Sequence, residues 1–351
     1  IAALSTLALT FIARPLGAIL FGHFGDRFGR KNTFVISLLV MGVSTMVIGL
    51  LPTYDSIGIW ATLLLCLCRI GQGIGLGGEW GGAALVAIEN APEGKRGWYG
   101  TFPQLGAPLG LLLANGAFLL ITDILGSAAM TDWAWRIPFL SSSILVVIGL
   151  YVRLKLAEAP IFVTALDKPQ PKTLPMVEVI ITHFKPFFLG MLICIAGYVL
   201  FYIIIAFSQI YAKSAPSQSE AGYAMGLGFS PQIFTALLMY SAVSLAISIT
   251  ISGKCIDKIG RRIWLIWTTV AVAIFGLALP YFLENGTTVS LFWFLIIGMG
   301  LIGMGYGPLS SFLPELFPTH VRYTGASLTY NIAGLFGASV AAIIALPLNA
   351  N

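Results

Sequence analysis

Gly22-His23-Phe24-Gly25-Asp26-Arg27-Phe28-Gly29-Arg30-Lys31 returns 231 residues later as Gly253-Lys254-Cys255-Ile256-Asp257-Lys258-Ile259-Gly260-Arg261-Arg262. The order Gly, Asp, base, Gly, base, base is kept, and each copy is a charged loop between two long apolar runs. A second echo stands at an offset of 226: Glu89, Pro92 and Arg96 recur as Glu315, Pro318 and Arg322, and Gly77 and Gly81 as Gly303 and Gly307. Two echoes at nearly equal offsets predict two equivalent helical bundles related as parallel repeats.

The solvent these bundles need is read from composition. The 351 residues are 58% hydrophobic and 9% charged, with a mean hydropathy of +0.91. Soluble domains carry about 25% charged residues, so the chain belongs in a bilayer. A spanning helix needs about 20 apolar residues. Ten such runs are present, at about 1–24, 32–51, 59–88, 98–121, 136–156, 187–212, 231–252, 263–283, 289–313 and 324–346. Within lipid their backbones must satisfy their own hydrogen bonds, which predicts helices; the alternating polarity of a membrane barrel is missing. The expected fold is all-α and polytopic.

Lysine and arginine set the orientation. With the loops around 25–31, 89–97, 157–186, 253–262 and 314–323 on one side, that side holds fifteen bases, from Arg27 through Arg153 and Lys155 to Arg322. The other side holds only Arg136 and Lys213. The basic side is therefore expected to be cytoplasmic. The net charge of +5 follows from topology and does not indicate a nucleic-acid partner. The first run then enters from outside and the tenth leaves to outside, and the chain opens on Ile1 inside an apolar run. A piece of a twelve-helix protein, without its first and last helices, is expected. The proline-rich stretch 157–186 reads as a linker between a bundle at 1–156 and a bundle at 187–351.

The repeat also fails, and the failures are informative. Arg14, Arg69 and Glu79 are the ionisable residues well inside the runs, and their counterparts are Leu245, Leu295 and Gly305. A charge at the bilayer centre costs at least about 2.5–3.5 kcal/mol, so three kept in one bundle imply a use. Two fixed cations facing a cavity suit an anion. A carboxylate at depth can carry a coupling proton, because burial disfavours its charged form; a structural ion pair is the other reading of Glu79. Gln72, Tyr198, Tyr202 and Asn331 are the polar groups expected beside Arg14 and Arg69 in a substrate site. The charged loops read as a latch that holds the bundles in one conformation: Gly22, Asp26, Arg27, Gly29, Arg30, Glu89 and Arg96, with Asp257, Gly260, Arg261, Glu315 and Arg322. Asp26 is an anion suited to a helix N-terminus or an arginine.

Other chemistry finds no residues to carry it. Cys66, Cys68, Cys194 and Cys255 have no metal or disulfide spacing. Gly73-Ile74-Gly75-Leu76-Gly77-Gly78 matches a dinucleotide fingerprint only formally, since it lies inside an apolar run with no strand before it. No Ser/His/Asp set, HExxH or phosphate loop is present, so an enzyme is not expected, nor a cofactor or metal.

The segment Gly22 to Lys31 resembles the loop signature of the major facilitator superfamily. Arg69-Ile70-Gly71-Gln72-Gly73-Ile74-Gly75 resembles its fourth-helix motif, whose arginine is associated with proton coupling. Ala13-Arg14-Pro15-Leu16-Gly17, Gly77-Gly78-Glu79-Trp80-Gly81-Gly82, Pro314-Glu315-Leu316-Phe317-Pro318-Thr319 and Arg322-Tyr323-Thr324-Gly325 resemble the metabolite:proton symporter family. The resemblance implies uptake driven by the proton gradient, by alternating access, of carboxylates such as α-ketoglutarate, citrate or shikimate, or of zwitterions such as proline and betaine. It implies a bacterial inner-membrane protein that acts as a monomer on a small molecule and a proton. The second loop copy departs from the pattern at Cys255 and Ile256. The expectation is a carboxylate symporter, with a zwitterion transporter and a non-transporting sensor as alternatives; Arg14 and Arg69 attract the anion, and Glu79, with Arg69, handles the proton.

Overall fold

The computed structural model describes residues 2–155, 173–213, 217–218, 224–225, 227–284 and 287–345. Every apolar run is helical. The helices are α1 (Ala2–Phe28), α2 (Arg30–Leu50), the single turn α3 (Tyr54–Ile57), α4 (Ile59–Glu89), α5 (Arg96–Gln104), α6 (Gly106–Ala129), α7 (Arg136–Lys155), the short α8 (Pro175–Ile181), α9 (Phe184–Tyr202), α10 (Ser208–Lys213), α11 (Pro231–Ile259), α12 (Arg261–Glu284), α13 (Thr288–Glu315) and α14 (Arg322–Ala345). Among the described residues, nine helical spans are long and apolar enough to cross a membrane. Among the described residues the strand structure is a two-residue antiparallel ladder, Ser217–Gln218 with Ala224–Met225. The expected linker lies outside the described residues from 157 to 172; its remainder contains α8.

The side chains show which solvent the helices are built for. On α1, Ile12, Leu16, Leu20, Phe24 and Phe28 are all exposed. They stand four apart, so one apolar stripe faces outward along the helix. On α12, Ile263, Ile266, Trp267, Val270, Ile274 and Leu277 do the same. The buried groups include Ser37, Ser241, Ser252 and Thr329, whose hydroxyls donate to carbonyls three or four residues back. Apolar side chains outside and small, internally satisfied hydroxyls inside is the pattern lipid selects.

The two repeat loops are tighter than a charged loop needs to be. Helix α1 continues through Asp26 and Arg27 to Phe28, and α2 starts at Arg30. Gly29 alone breaks the chain, at φ 124, and Gly260 does so between α11 and α12, at φ 87. Side chains other than glycine are strained there, so the conserved glycine of each copy is the turn itself. Farther on, α5 ends at Gln104, where Pro108 lacks the N–H that would meet the Gln104 carbonyl.

By contacts the chain divides into two compact units. The first comprises Ile1–Asn90, Ala117–Leu192 and Leu313–Leu335; the second comprises Ala91–Gly116, Ile193–Phe312 and Phe336–Asn351. The units are interleaved along the chain. In the first, α4 packs on α1 and α2, and α2 packs on α7. A Cβ on Gly77 would sit 2.1 Å from the Arg14 carbonyl oxygen, and one on Gly73 would sit 2.3 Å from that of Thr10. The glycines of α4 are thus what lets α1 lie against it. In the second unit, Phe234, Phe275, Phe294, Leu291 and Met299 form a buried core, and the Trp264 indole donates to the Met304 carbonyl at 2.9 Å.

Candidate functional site

Each unit holds one of the two repeat aspartates together with the helix start it binds. Asp26, fully buried near the end of α1, accepts from the backbone N–H of Tyr323 at 3.1 Å and of Thr324 at 2.9 Å, and from the Thr324 hydroxyl at 2.8 Å. These N–H groups belong to the first turn of α14, which has no helical acceptor for them. An anion there also meets the positive end of the helix dipole. In the second unit, Asp257 accepts from the N–H of Gly97 and of Trp98, each at 2.8 Å, in the first turn of α5. Gly97 and Trp98 stand 226 positions before Tyr323 and Thr324. Each repeat's aspartate therefore clasps a helix that begins in the other repeat, and the two clasps are copies of one another.

Around Asp26 the expected latch residues gather. Arg30 pairs with Glu89 and lies 3.8 Å from Asp26, and it donates to the Thr319 carbonyl at 2.8 Å. Arg322 approaches the other oxygen of Glu89 at 3.4 Å and donates to the Phe317 carbonyl at 3.1 Å. Arg27 donates to the Thr173 carbonyl at 2.8 Å, and Gly22 leaves room for Thr324. Arg96 and Arg261 open α5 and α12 on either side of Asp257 in sequence, and Glu315 ends α13.

Tyr323 was not anticipated. Its side chain is wholly buried, and its hydroxyl donates to the Gly78 carbonyl at 2.7 Å. The ring occupies a slot between α1 and α4: a Cβ on Gly25 would fall 2.1 Å from its Cδ1, and one on Gly82 would fall 2.8 Å from its hydroxyl. Leu85 and Ile88 pack against it. The motif Arg322-Tyr323-Thr324-Gly325 contains this tyrosine, but its place in the slot follows from glycines on two other helices.

Of the membrane-depth charges, Glu79 has a partner that sequence did not supply. Arg153 of α7 forms an ion pair with it, donates to the Phe34 carbonyl at 2.7 Å, and lies 3.5 Å above the Phe34 ring. The second carboxylate oxygen of Glu79 is buried with no hydrogen-bond partner among the described residues. Arg69 does not meet Glu79. It donates to Gln72 at 3.0 Å, and Gln72 donates to the Thr45 hydroxyl at 2.8 Å. Arg14 lies 4.3 Å over the Phe11 ring, and its buried Nε, like that of Arg69, meets no acceptor. Among the described residues neither arginine has a carboxylate partner.

The remaining polar candidates are placed differently. The Asn331 amide donates to the carbonyls of Gly77 at 3.0 Å and Ser327 at 2.8 Å, joining α14 to α4. Beside it the rings of Tyr330 and Trp80 stack at 4.0 Å and 6°. Tyr198 and Tyr202 lie on α9 in the second unit, where Tyr198 packs against Gly337. Among the described residues no group of histidine, cysteine and acidic side chains converges as a metal set.

Comparison with known proteins adds an independent line. The family model described as Major Facilitator Superfamily matches residues 2–342. Over its whole length the chain is 88% identical to a Haemophilus influenzae protein bearing the provisional name of metabolite transport protein, and covers 78% of it. It is 46% identical, over 99% of its length and 78% of the relative's, to the inner membrane metabolite transport protein YhjE of Escherichia coli. The proline/betaine transporter of Escherichia coli is 33% identical over 95% of this chain and 67% of its own length. Among solved structures, the proton:xylose symporter XylE aligns with a TM-score of 0.72 over 96% of this chain and 78% of that one, at 17% identity. At that identity the likeness concerns the fold alone.

Proposed function

The chain belongs to the Major Facilitator Superfamily, and from that premise we propose that it is a proton-coupled symporter of a small organic carboxylate in a bacterial inner membrane, working by alternating access. Secondary transport of the superfamily's type is the coarse function. The observation that carries the finer reading is Arg14. It sits midway along an apolar helix, and its guanidinium has an aromatic ring for company and no acid. Arg153, by contrast, is spent on Glu79. An uncompensated cation at depth is costly, and a carboxylate arriving as substrate removes that cost. Arg69, held by Gln72 and Thr45, is a second cation on the same unit. Glu79 is the proton carrier in this reading, since its second oxygen is free to take a proton without losing a hydrogen bond.

A zwitterion is the second reading, favoured by the proline/betaine relative. Proline and betaine also carry a carboxylate, so the Arg14 site serves either. Uptake by the full-length protein in proteoliposomes, with labelled carboxylates and zwitterions and with or without an imposed proton gradient, separates them. The carboxylate is expected to accumulate only with the gradient. Arg14→Ala should lower uptake by at least ~10-fold, since removing one partner of a buried charge pair costs about 2–5 kcal/mol, while Arg14→Lys should retain part of it. Accumulation indifferent to the gradient would end the symport reading, and full uptake by Arg14→Ala would end the anion-site assignment.

A further inference from the structure

The Glu79–Arg153 pair and the Tyr323 clasp share a wall. The Tyr323 hydroxyl bonds to the carbonyl of Gly78, the residue before Glu79. A Cβ at Gly82, one turn along the same helix from Gly78, would lie 2.8 Å from both the Tyr323 hydroxyl and the Phe34 ring. So ring and hydroxyl meet over one glycine. The other partner of Phe34 is the Arg153 guanidinium, at 3.5 Å. Arg153 thus touches Glu79 on one side and, on the other, the Phe34 ring that lies over Gly82 beside the Tyr323 hydroxyl.

The charges around this cluster are few. Arg153 reaches Glu79 from α7, and Tyr323 from α14 lies within electrostatic reach of both. Asp26 on α1 and Arg30 on α2 act on Tyr323 as well. Asp26 holds the tyrosine's backbone and Gly78 holds its hydroxyl. Phe34, which shares the space over Gly82 with that hydroxyl, is the neighbour tied to the ion pair through Arg153.

We propose that Arg153 is a positioning residue that carries the charge state of Glu79 to the Tyr323 clasp. The inference rests on the reading of Glu79 as proton carrier. With Glu79 ionised, the pair pins Arg153 over Phe34, and the slot grips the ring. When a proton from solvent adds to the free Glu79 oxygen, the carboxylate becomes a neutral acid and Arg153 keeps its positive charge without a counter-ion. The guanidinium is then drawn away to another anion or to water, Phe34 loses its support, and the start of α14 is released. Loss of the proton restores the pair and the grip. Binding a proton and opening the clasp become one event, and no contact between Glu79 and the Asp26 cluster is required.

Ser327 provides the reporter. It is buried one turn beyond Tyr323 and meets Gly81 at the edge of the slot. The full-length protein with its native cysteines replaced by serine and Ser327→Cys added is labelled with a permeant thiol reagent across a pH series. Labelling should quicken several-fold as the medium is acidified. In Arg153→Ala it should be fast at every pH, in Glu79→Gln likewise, and Arg153→Lys should restore a pH-dependent rate with a displaced midpoint. Labelling in Arg153→Ala that matches the Arg153 protein in rate and pH dependence would overturn the proposal. Proton-driven accumulation is measured on the same Glu79→Gln protein. If that persists, the proton-carrier reading falls; if it is lost while Arg153→Ala labels normally, the reading stands and the role of Arg153 falls.

Discussion

Gly25 shows how much a single hydrogen atom decides. Its α-carbon faces the Tyr323 ring so closely that a methyl group would lie 2.1 Å from Cδ1. Forcing extra volume into a packed site costs about 1–3 kcal/mol. Gly25→Ala should therefore lower the thermal midpoint of the purified protein in detergent and depress uptake, because the ring must leave its slot. Gly276→Ala is the control: nothing lies within 4 Å of the Cβ it would add, so its midpoint should not fall. Equal midpoints for the two variants would refute the slot. At this scale the sequence was only partly legible. Arg14, Arg69 and Glu79 stood out because charge inside an apolar run is expensive and their repeat positions are neutral. Arg153 did not, because a base near the end of a run on the basic side is already explained by topology. Tyr323 carries no charge, and its role depends on glycines far away in sequence.

At the scale of elements, the repeat turned out to specify helix ends. The charged loop was expected around Asp26, and an aspartate facing a helix N-terminus was anticipated. Which helix it would face was not, because pairing runs between the repeats: Asp26 to α14 and Asp257 to α5. Nor is most of the loop irregular, since one positive-φ glycine suffices to turn it. An anion at a helix start is worth up to about 2 kcal/mol in partly buried settings. Asp26→Asn and Asp257→Asn should both destabilise the protein, and Asp26→Asn more, because Asp26 also accepts from the Thr324 hydroxyl. The two aspartates accept from different helix starts, so the double variant should be additive within about 0.5 kcal/mol. Thermal midpoints of the three variants test this. An effect confined to one aspartate, or the reverse order, would contradict the equivalence of the clasps.

For the whole molecule, the helical character of the apolar runs was legible because lipid leaves a backbone no other way to satisfy itself, and among the described residues the structure places helix on each run. The membership of the two compact units was not legible, since runs of hydropathy locate helices without saying which of them touch. Orientation rests on the lysines and arginines alone, and the cysteines give it a direct test. Cys255 lies on α11 in the basic loop copy and is half-buried, whereas Cys194 on α9 is fully buried. In versions of the full-length protein that keep one cysteine each, an impermeant thiol reagent should label Cys255 in inside-out vesicles and not in intact right-side-out ones. Cys194 should react in neither until the protein is denatured. Labelling of Cys255 from the outside would invert the topology.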